Sequence, residues 1–348
     1  MPSFLRPVIA LTLPLAIAAS ARFAADTLPV DTLQAIGGLP AHIAGAFTDM
    51  GDCEQTPAGD YFVFDRRAHA VFTIPAPFEA AREIVRIGAE SGRLLRPTAF
   101  ALADDGSFVV ADAPGGKARI QVFLTSGASV GGFLLSTRDV PTMVMDNFLR
   151  SGIASLAYTG KSIVISQPEL GALVSEYAMD ASPLRSFGEL RPTGHEQDNE
   201  LHLALNSGIP IVNPLGGYYF VFLGGTPLFR KYDARGALLF ERHIEGVQVD
   251  EYLRSMPTSW PRRRTEDGTI PIVQPGIRAA AADLDGNLWV SLRSAYTYVY
   301  DAGGDKRRIV QFKGTGITTP ASFFFTRDGR VLITPGCYAF RVRRDAVK

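Results

Sequence analysis

Pro97-Thr98-Ala99-Phe100-Ala101-Leu102-Ala103-Asp104-Asp105-Gly106 runs into Phe108-Val109-Val110-Ala111-Asp112 and then into Arg119-Ile120-Gln121-Val122-Phe123. An Asp-Gly pair between two apolar runs is a strong hairpin signal, because glycine accepts the positive φ of a tight turn. The third run alternates polar and apolar residues, the period of a half-buried strand. The stretch therefore predicts three consecutive antiparallel strands, and the rest of the chain repeats it. A glycine precedes a short apolar or aromatic run at Gly59, Gly106, Gly160, Gly217, Gly286 and Gly329, and the last of these runs is Val331-Leu332-Ile333. Further strand-like runs follow, among them Ala70-Val71-Phe72-Thr73-Ile74, Leu228-Phe229-Arg230-Lys231-Tyr232 and Tyr338-Ala339-Phe340-Arg341-Val342.

A fourth run completes five of these units, as in Ile84-Val85-Arg86-Ile87, Leu238-Leu239-Phe240 and Arg308-Ile309-Val310-Gln311-Phe312. The sixth unit has none before Lys348, while Thr32-Leu33-Gln34-Ala35-Ile36 stands ahead of the first unit with no hairpin of its own. Four-stranded units at a spacing of roughly 40 to 70 residues predict an all-β, six-bladed β-propeller whose last blade is closed by the N-terminal strand, one domain over residues 26–348. Two stacked sheets in a sandwich would explain neither the sixfold count nor the missing last strand.

The second unit resembles an NHL repeat, and the fifth and sixth units resemble it more weakly. The resemblance implies the six-bladed propeller fold but no activity, since NHL and related propellers include binding modules, lyases and lactonases. In lactonases of the gluconolactonase type a divalent cation is held at the channel by a few acid and amide side chains. Here that would point to Asp49, Asp52 or Asp112, with aspartates before the first hairpin where a glutamate is expected.

At the N-terminus, Arg6 leads into Val8-Ile9-Ala10-Leu11-Thr12-Leu13-Pro14-Leu15-Ala16-Ile17 and then Ala19-Ser20-Ala21. The run is short, Pro-interrupted and followed by small residues, the pattern of a signal peptide cleaved after Ala21, or alternatively after Ala25. Cys53 is the nearest cysteine, too far along for a lipid anchor, and no later run is long enough to span a bilayer. The expectation is a secreted or periplasmic protein with no transmembrane segment in its mature form. In an oxidising compartment Cys53 and Cys337 are the only possible disulfide pair, the alternative being two buried small hydrophobes. With 35 Lys plus Arg against 35 Asp plus Glu, no overall field points to nucleic acid.

In such a propeller the Asp-Gly turns lie on one face and the connections between blades on the other. The long connections, Asp139–Ser151, Glu189–Ser207 and Glu245–Gly276, predict a loop-rich face suited to binding. The longest carries Tyr252, Trp260 and Arg262-Arg263-Arg264, then Glu266 and Asp267; an aromatic beside guanidinium groups could grip a carboxylate, phosphate or sugar acid, or the acids could pair with the arginines. His195, Asp198 and His202 have metal-ligating side chains, and on a helix the two histidines would share a face; they equally suit a solvated acidic helix start. Arg66, Arg67, His69, Asp112, Lys117 and Arg293 follow second strands on the same face, and Asp49 and Asp52 are expected at the channel.

No nucleophile elbow, phosphate loop or His-Glu-x-x-His motif occurs. The leading reading is a binding or scaffolding module, not an enzyme, taking a polar small molecule, glycan, peptide or envelope protein, with no cofactor. Its rival is a divalent-metal-dependent hydrolase or lactonase with the ion in the channel. A third reading is a subunit of a larger envelope complex.

Overall fold

The computed structural model describes residues 28–135, 142–145, 148–151, 153, 155–265 and 268–342. The signal-peptide segment, Glu266, Asp267 and part of the connection after Asp139 lie outside the described residues. Strand β1 (Val30–Gly38) and helix α1 (Ala41–Ala44) precede a sheet of β2 (Met50–Gln55), β3 (Tyr61–Asp65), β4 (Ala70–Ile74) and β5 (Arg82–Val85). The second sheet is β6 (Ala99–Leu102), β7 (Ser107–Asp112), β8 (Arg119–Leu124) and β9 (Ser129–Leu134). A hairpin, β10 (Thr142–Met145) and β11 (Phe148–Ser151), leads to β12 (Leu156–Tyr158), β13 (Ser162–Ser166), β14 (Val174–Ala178) and β15 (Pro183–Phe187).

Helix α2 (Asn199–Leu205) leads to β16 (Gly208–Val212), β17 (Tyr218–Phe222), β18 (Leu228–Tyr232) and β19 (Leu238–His243). Helix α3 (Asp250–Ser255) and a second hairpin, β20 (Arg262–Thr265) and β21 (Gly268–Pro271), precede β22 (Ile277–Ala282), β23 (Leu288–Leu292), β24 (Thr297–Tyr300) and β25 (Lys306–Lys313). Last come β26 (Ile317–Thr318), β27 (Ser322–Phe325), β28 (Arg330–Thr334) and β29 (Tyr338–Arg341).

The four sheets β2–β5, β6–β9, β12–β15 and β16–β19 are antiparallel meanders in chain order, as the glycine-punctuated runs predict, and so are β22–β25 and β27–β29, which β1 joins into one larger sheet. The tight turns use the expected chemistry: Gly106, Gly286 and Gly329 all have positive φ. The aspartate that opens the β22–β23 turn does more, because Asp283 accepts the backbone N–H groups of Asp285 and Asn287 and the indole N–H of Trp289. Strands β3, β7, β13 and β23 are buried along their whole length, so they read as continuous apolar runs; the outermost β9 and β19 are largely exposed.

Neighbouring sheets enclose separate apolar cores. Phe64, Phe100 and Phe108 pack between the first and second, Val109, Ile120 and Ile163 between the second and third, and Val164, Leu173 and Phe220 between the third and fourth. Tyr219, Phe229 and Val290 fill the next gap, Trp289, Phe312 and Ile333 the one after, and Cys53, Val63, Leu332 and Cys337 lie between the last strands and the first sheet. The innermost strands touch in turn, β2 to β6, then β12, β16, β22 and β27, and β27 touches β2 again. They surround a channel of about 590 Å³.

Two features tie the ends of the chain together. Ala35–Gly38 of β1 pairs antiparallel with β29, beside β28 and β27. Residues Val30–Gln34 of the same strand pair parallel with β25. The segment expected from sequence, Thr32–Ile36, is thus divided between two partners. A register shift between Ala35 and Gly37 marks the division, and Gly38, at φ +127°, lies so close to Cys337 that a Cβ would sit 2.2 Å from its carbonyl oxygen. The second feature is a disulfide between Cys53 of β2 and Cys337, with Cα atoms 5.7 Å apart. Bridging residues separated by 284 positions restricts the unfolded chain by about 5 kcal/mol in the loop-entropy account.

A chain lacking residues up to Gly38, and separately the intact chain reduced with dithiothreitol, are each expected to melt roughly 10 °C lower. Both changes together should abolish the cooperative transition, as read by circular dichroism. An unchanged midpoint in the truncated chain would contradict the role given to β1.

Candidate functional site

The connections between sheets build a cap over one face. Residue Val144 of β10 forms a parallel bridge with Ile272, and the Val273 N–H donates to the Val144 carbonyl at 3.0 Å. Helix α2 contacts both β10 and β21. Arg262 of β20 then reaches Asp198 at 2.7 Å and Glu200 at 2.5 Å, tying the longest connection to the start of α2. Three connections that are distant in sequence thus form one layer.

Two buried polar residues anchor this layer to the fourth sheet. The Arg191 guanidinium donates to the carbonyls of Leu205, Gly224 and Thr226 and lies 4.3 Å from the centre of the Phe222 ring. Burial lowers its pKa to about 10, which still leaves it charged at neutral pH. Fully buried Asn206 exchanges hydrogen bonds with the Arg191 backbone, accepting from its N–H and donating to its carbonyl.

Within the cap, α3, the chain ahead of β20 and the loop after β23 enclose a cleft of about 520 Å³. Gln248, Glu251, Tyr252, Trp260, Gln274 and Arg293 contribute to its wall. Tyr252 is held in place by its hydroxyl, which donates to the carbonyls of Gly225 and Gln274, and by Gly276, where a Cβ would meet the ring at 2.6 Å. Burial pushes the Tyr252 phenol up to about 12, so it stays neutral. Arg293 donates to the Gln274 side-chain oxygen at 3.0 Å.

The channel presents a different chemistry. Asp52 and Glu54 alternate along β2, are half-buried and line the channel. Burial pushes the Asp52 carboxyl up to about 7, against the pull of Arg66 and a hydrogen bond from Ser322. Burial, reinforced by the neighbouring Asp52 charge, holds Glu54 well above the usual carboxylate range even though its Oε2 accepts the Leu102 N–H at 2.9 Å. The pair can retain a proton near neutral pH or, ionised, attract a cation. Sequence reasoning missed Glu54, although its period-two spacing from Asp52 on the same strand was an available signal. The rest of the channel wall is mixed, with Arg66, Arg278, Tyr158 and Ser322 beside Ala281 and Ile209.

The other expected site residues are dispersed. Asp49 does line the channel, as expected, and pairs there with Arg66 at 2.9 Å. Asp112 is not a channel residue: it is buried, pairs with Arg119 at 2.6 Å and accepts the Leu95 N–H, so its carboxylate serves the second sheet. Arg67 and Lys117 are exposed, the Arg67 backbone N–H capping Asp65. His69 takes a positive φ, and burial lowers its pKa, with the Arg96 charge adding to the effect. The metal-ligating trio is likewise not convergent. Helix α2 begins only at Asn199, with Asp198 as its N-cap accepting the Leu201 N–H, so His195 lies ahead of the helix and shares no face with His202. His202 Nδ1 lies 2.8 Å from the Thr193 hydroxyl. Among the described residues no three His, Cys, Asp or Glu side chains come together as a metal-binding group. Arg263 and Arg264 are exposed on β20, away from the cleft wall, and Arg262 is engaged with α2.

No protein-family model matches the chain, and no curated protein matches it by sequence. Among solved structures, a catalytically inactive virginiamycin B lyase from Staphylococcus aureus with quinupristin superposes with a TM-score of 0.50 at 12% identity, over 82% of this chain and 78% of that one. Hydrazine synthase of Kuenenia stuttgartiensis gives 0.47 at 12% identity over 87% and 98%, and BamB of Moraxella catarrhalis 0.39 at 10% over 81% and 70%. The lyase is a β-propeller, and the similarity to it is one of fold: the four-stranded sheets of this chain are propeller blades.

The channel acids give a stability signature. Asp52 has an ordinary value of 3.8 and about 7 when folded, so between these values the folded state holds a proton that the unfolded chain releases. Its contribution is fully present below pH 3.8 and is lost as pH rises through about 7. Asp52→Asn should therefore flatten the pH dependence of urea unfolding across this window and stabilise the protein at pH 8 by roughly 2 kcal/mol, allowing for solvent screening. A variant less stable than the parent at pH 8 would contradict the assignment.

Proposed function

We propose that this chain is an exported six-bladed β-propeller, closed by β1, that acts as a binding module and holds its ligand in the cleft of the cap on its loop-rich face. The observation carrying this reading is the joining of three distant connections into one layer, with a cleft of about 520 Å³ walled by Trp260, Tyr252 and several polar side chains. Clefts of this size and mixed lining are usual for small-ligand sites. Loops left as simple linkers have no need of a buried arginine and a buried asparagine to seat them. Export is supported by the disulfide and by the leader-like N-terminal segment. No helix among the described residues is long and apolar enough to cross a membrane.

A cation-dependent hydrolase or lactonase would have to rest on Asp52 and Glu54. Two carboxylates fall short of the protein donors that zinc or calcium takes, and Asp49 and Asp112 are engaged with arginines. The residues of the channel do not fit that reading.

A thermal-shift screen of polar small molecules and short peptides tests the proposal, run in parallel on the parent, Trp260→Ala and Asp52→Asn. A ligand at about a hundred times its Kd adds roughly 3 kcal/mol to the stability of the folded state. Stabilising compounds are expected to lose their effect in Trp260→Ala and keep it in Asp52→Asn. The reverse pattern, or a large drop on adding EDTA that calcium or zinc restores, would move the ligand site to the channel.

A further inference from the structure

Resting on the reading of the cap cleft as the binding site, we infer that its ligand is a neutral saccharide. The inference comes from which polar atoms in the cleft are already engaged. The Tyr298 hydroxyl donates to Gln248 Oε1 at 2.6 Å, and Arg293 donates to Gln274 Oε1 at 3.0 Å. Both amides are thereby oriented by their oxygens, and their NH₂ groups make no hydrogen bond among the described residues. The same holds for the Trp260 indole N–H and the Glu251 carboxylate. The cleft thus offers two amide donors, an indole donor, an anionic acceptor and the aromatic surfaces of Trp260 and Tyr252.

Charge and hydrogen-bond complementarity then select among ligand classes. Glu251 and Arg293 bring both signs of charge to one wall, so neither an anionic nor a cationic ligand is matched by the cleft as a whole. A proline-rich segment brings carbonyl acceptors for the amides and indole, but its imide nitrogens leave Glu251 without a donor. Sugar hydroxyls donate and accept at once, and the apolar face of a pyranose ring fits against an aromatic ring. A volume of about 520 Å³ accommodates a short oligosaccharide.

Fluorescence titration tests the inference on the intact oxidised protein. The chain has two tryptophans; Trp289 is fully buried, so a ligand-induced change reports on Trp260. The probes are maltotriose, cellotriose and tri-N-acetylchitotriose, set against tri-galacturonic acid, a proline-rich decapeptide and choline. A saturable change with at least one neutral trisaccharide is expected, weakened about tenfold or more in Glu251→Gln and lost to isothermal calorimetry in Trp260→Ala. Trp260→Phe, which keeps the aromatic face and removes the donor, should retain part of the affinity. Binding confined to the uronic acid, the peptide or choline, and lost in Trp260→Ala, would overturn the saccharide assignment while leaving the cleft as the site. Saccharide binding that Trp260→Ala and Glu251→Gln leave unchanged, or no binding by any probe, would overturn the assignment, the former also removing the cleft as the site.

Discussion

A ring of sheets is only as stable as its weakest joint, and in the proposed propeller that joint falls where β1 and Cys53 meet the last strands of the chain. Each sheet buries its faces against its neighbours, so an open ring would leave the apolar faces of two sheets in water. The chain answers with a strand and a covalent bond. Strand β1 satisfies the outer edge of β29 and, in its first half, the outer edge of β25. The Cys53–Cys337 bridge meanwhile fastens the innermost strand of the first sheet to the turn leading into β29. The two devices meet at Cys337, which carries the bridge and whose carbonyl accepts the Leu39 N–H just beyond β1.

The cap depends on this rigidity. Its parts come from connections between the second and third, third and fourth, and fourth and fifth sheets, and they meet only because those sheets hold fixed angles to one another. Arg191 illustrates the energetics: a buried guanidinium satisfied by three carbonyls and an aromatic face tolerates little displacement, since each donor left unmade costs about 1–3 kcal/mol. The Arg262 contacts with Asp198 and Glu200 are more exposed and add orientation more than stability. The geometry of this face is thus underwritten by packing well below it.

Much of the fold was legible because its signals are local. Asp-Gly pairs, apolar runs and period-two alternation are set by turn geometry and strand burial, so Gly106, Gly286 and Gly329 announced their hairpins from sequence. The strand character of Thr32–Ile36 was legible too, and β1 pairs with β29 and β25. Its register was not, because the division of β1 between β25 and β29 is set by pairing with strands nearly the whole chain away. The site was read less well for the same reason. Trp260, Tyr252 and Arg293 could be singled out as unusual residues on long loops, but their meeting with Gln248 and Gln274 is a product of tertiary packing. Charge-rich motifs misled where charges serve the fold: Asp112 is matched to Arg119, and Asp198 caps a helix and receives Arg262. Glu54 was overlooked although it lies on the same strand as Asp52, because its significance depends on the raised pKa of both acids in the channel.

The most direct measurement of the closed ring is native-state hydrogen exchange on the oxidised protein. The Leu39 amide, just beyond β1, donates to the Cys337 carbonyl, and Val63 lies in the fully buried β3. If the two ends close the ring, the amides of Leu39 and β29 exchange only through global unfolding, with the same free energy and denaturant dependence as Val63. Exchange of Leu39 and β29 through a local opening several kcal/mol below that of Val63 would contradict the account.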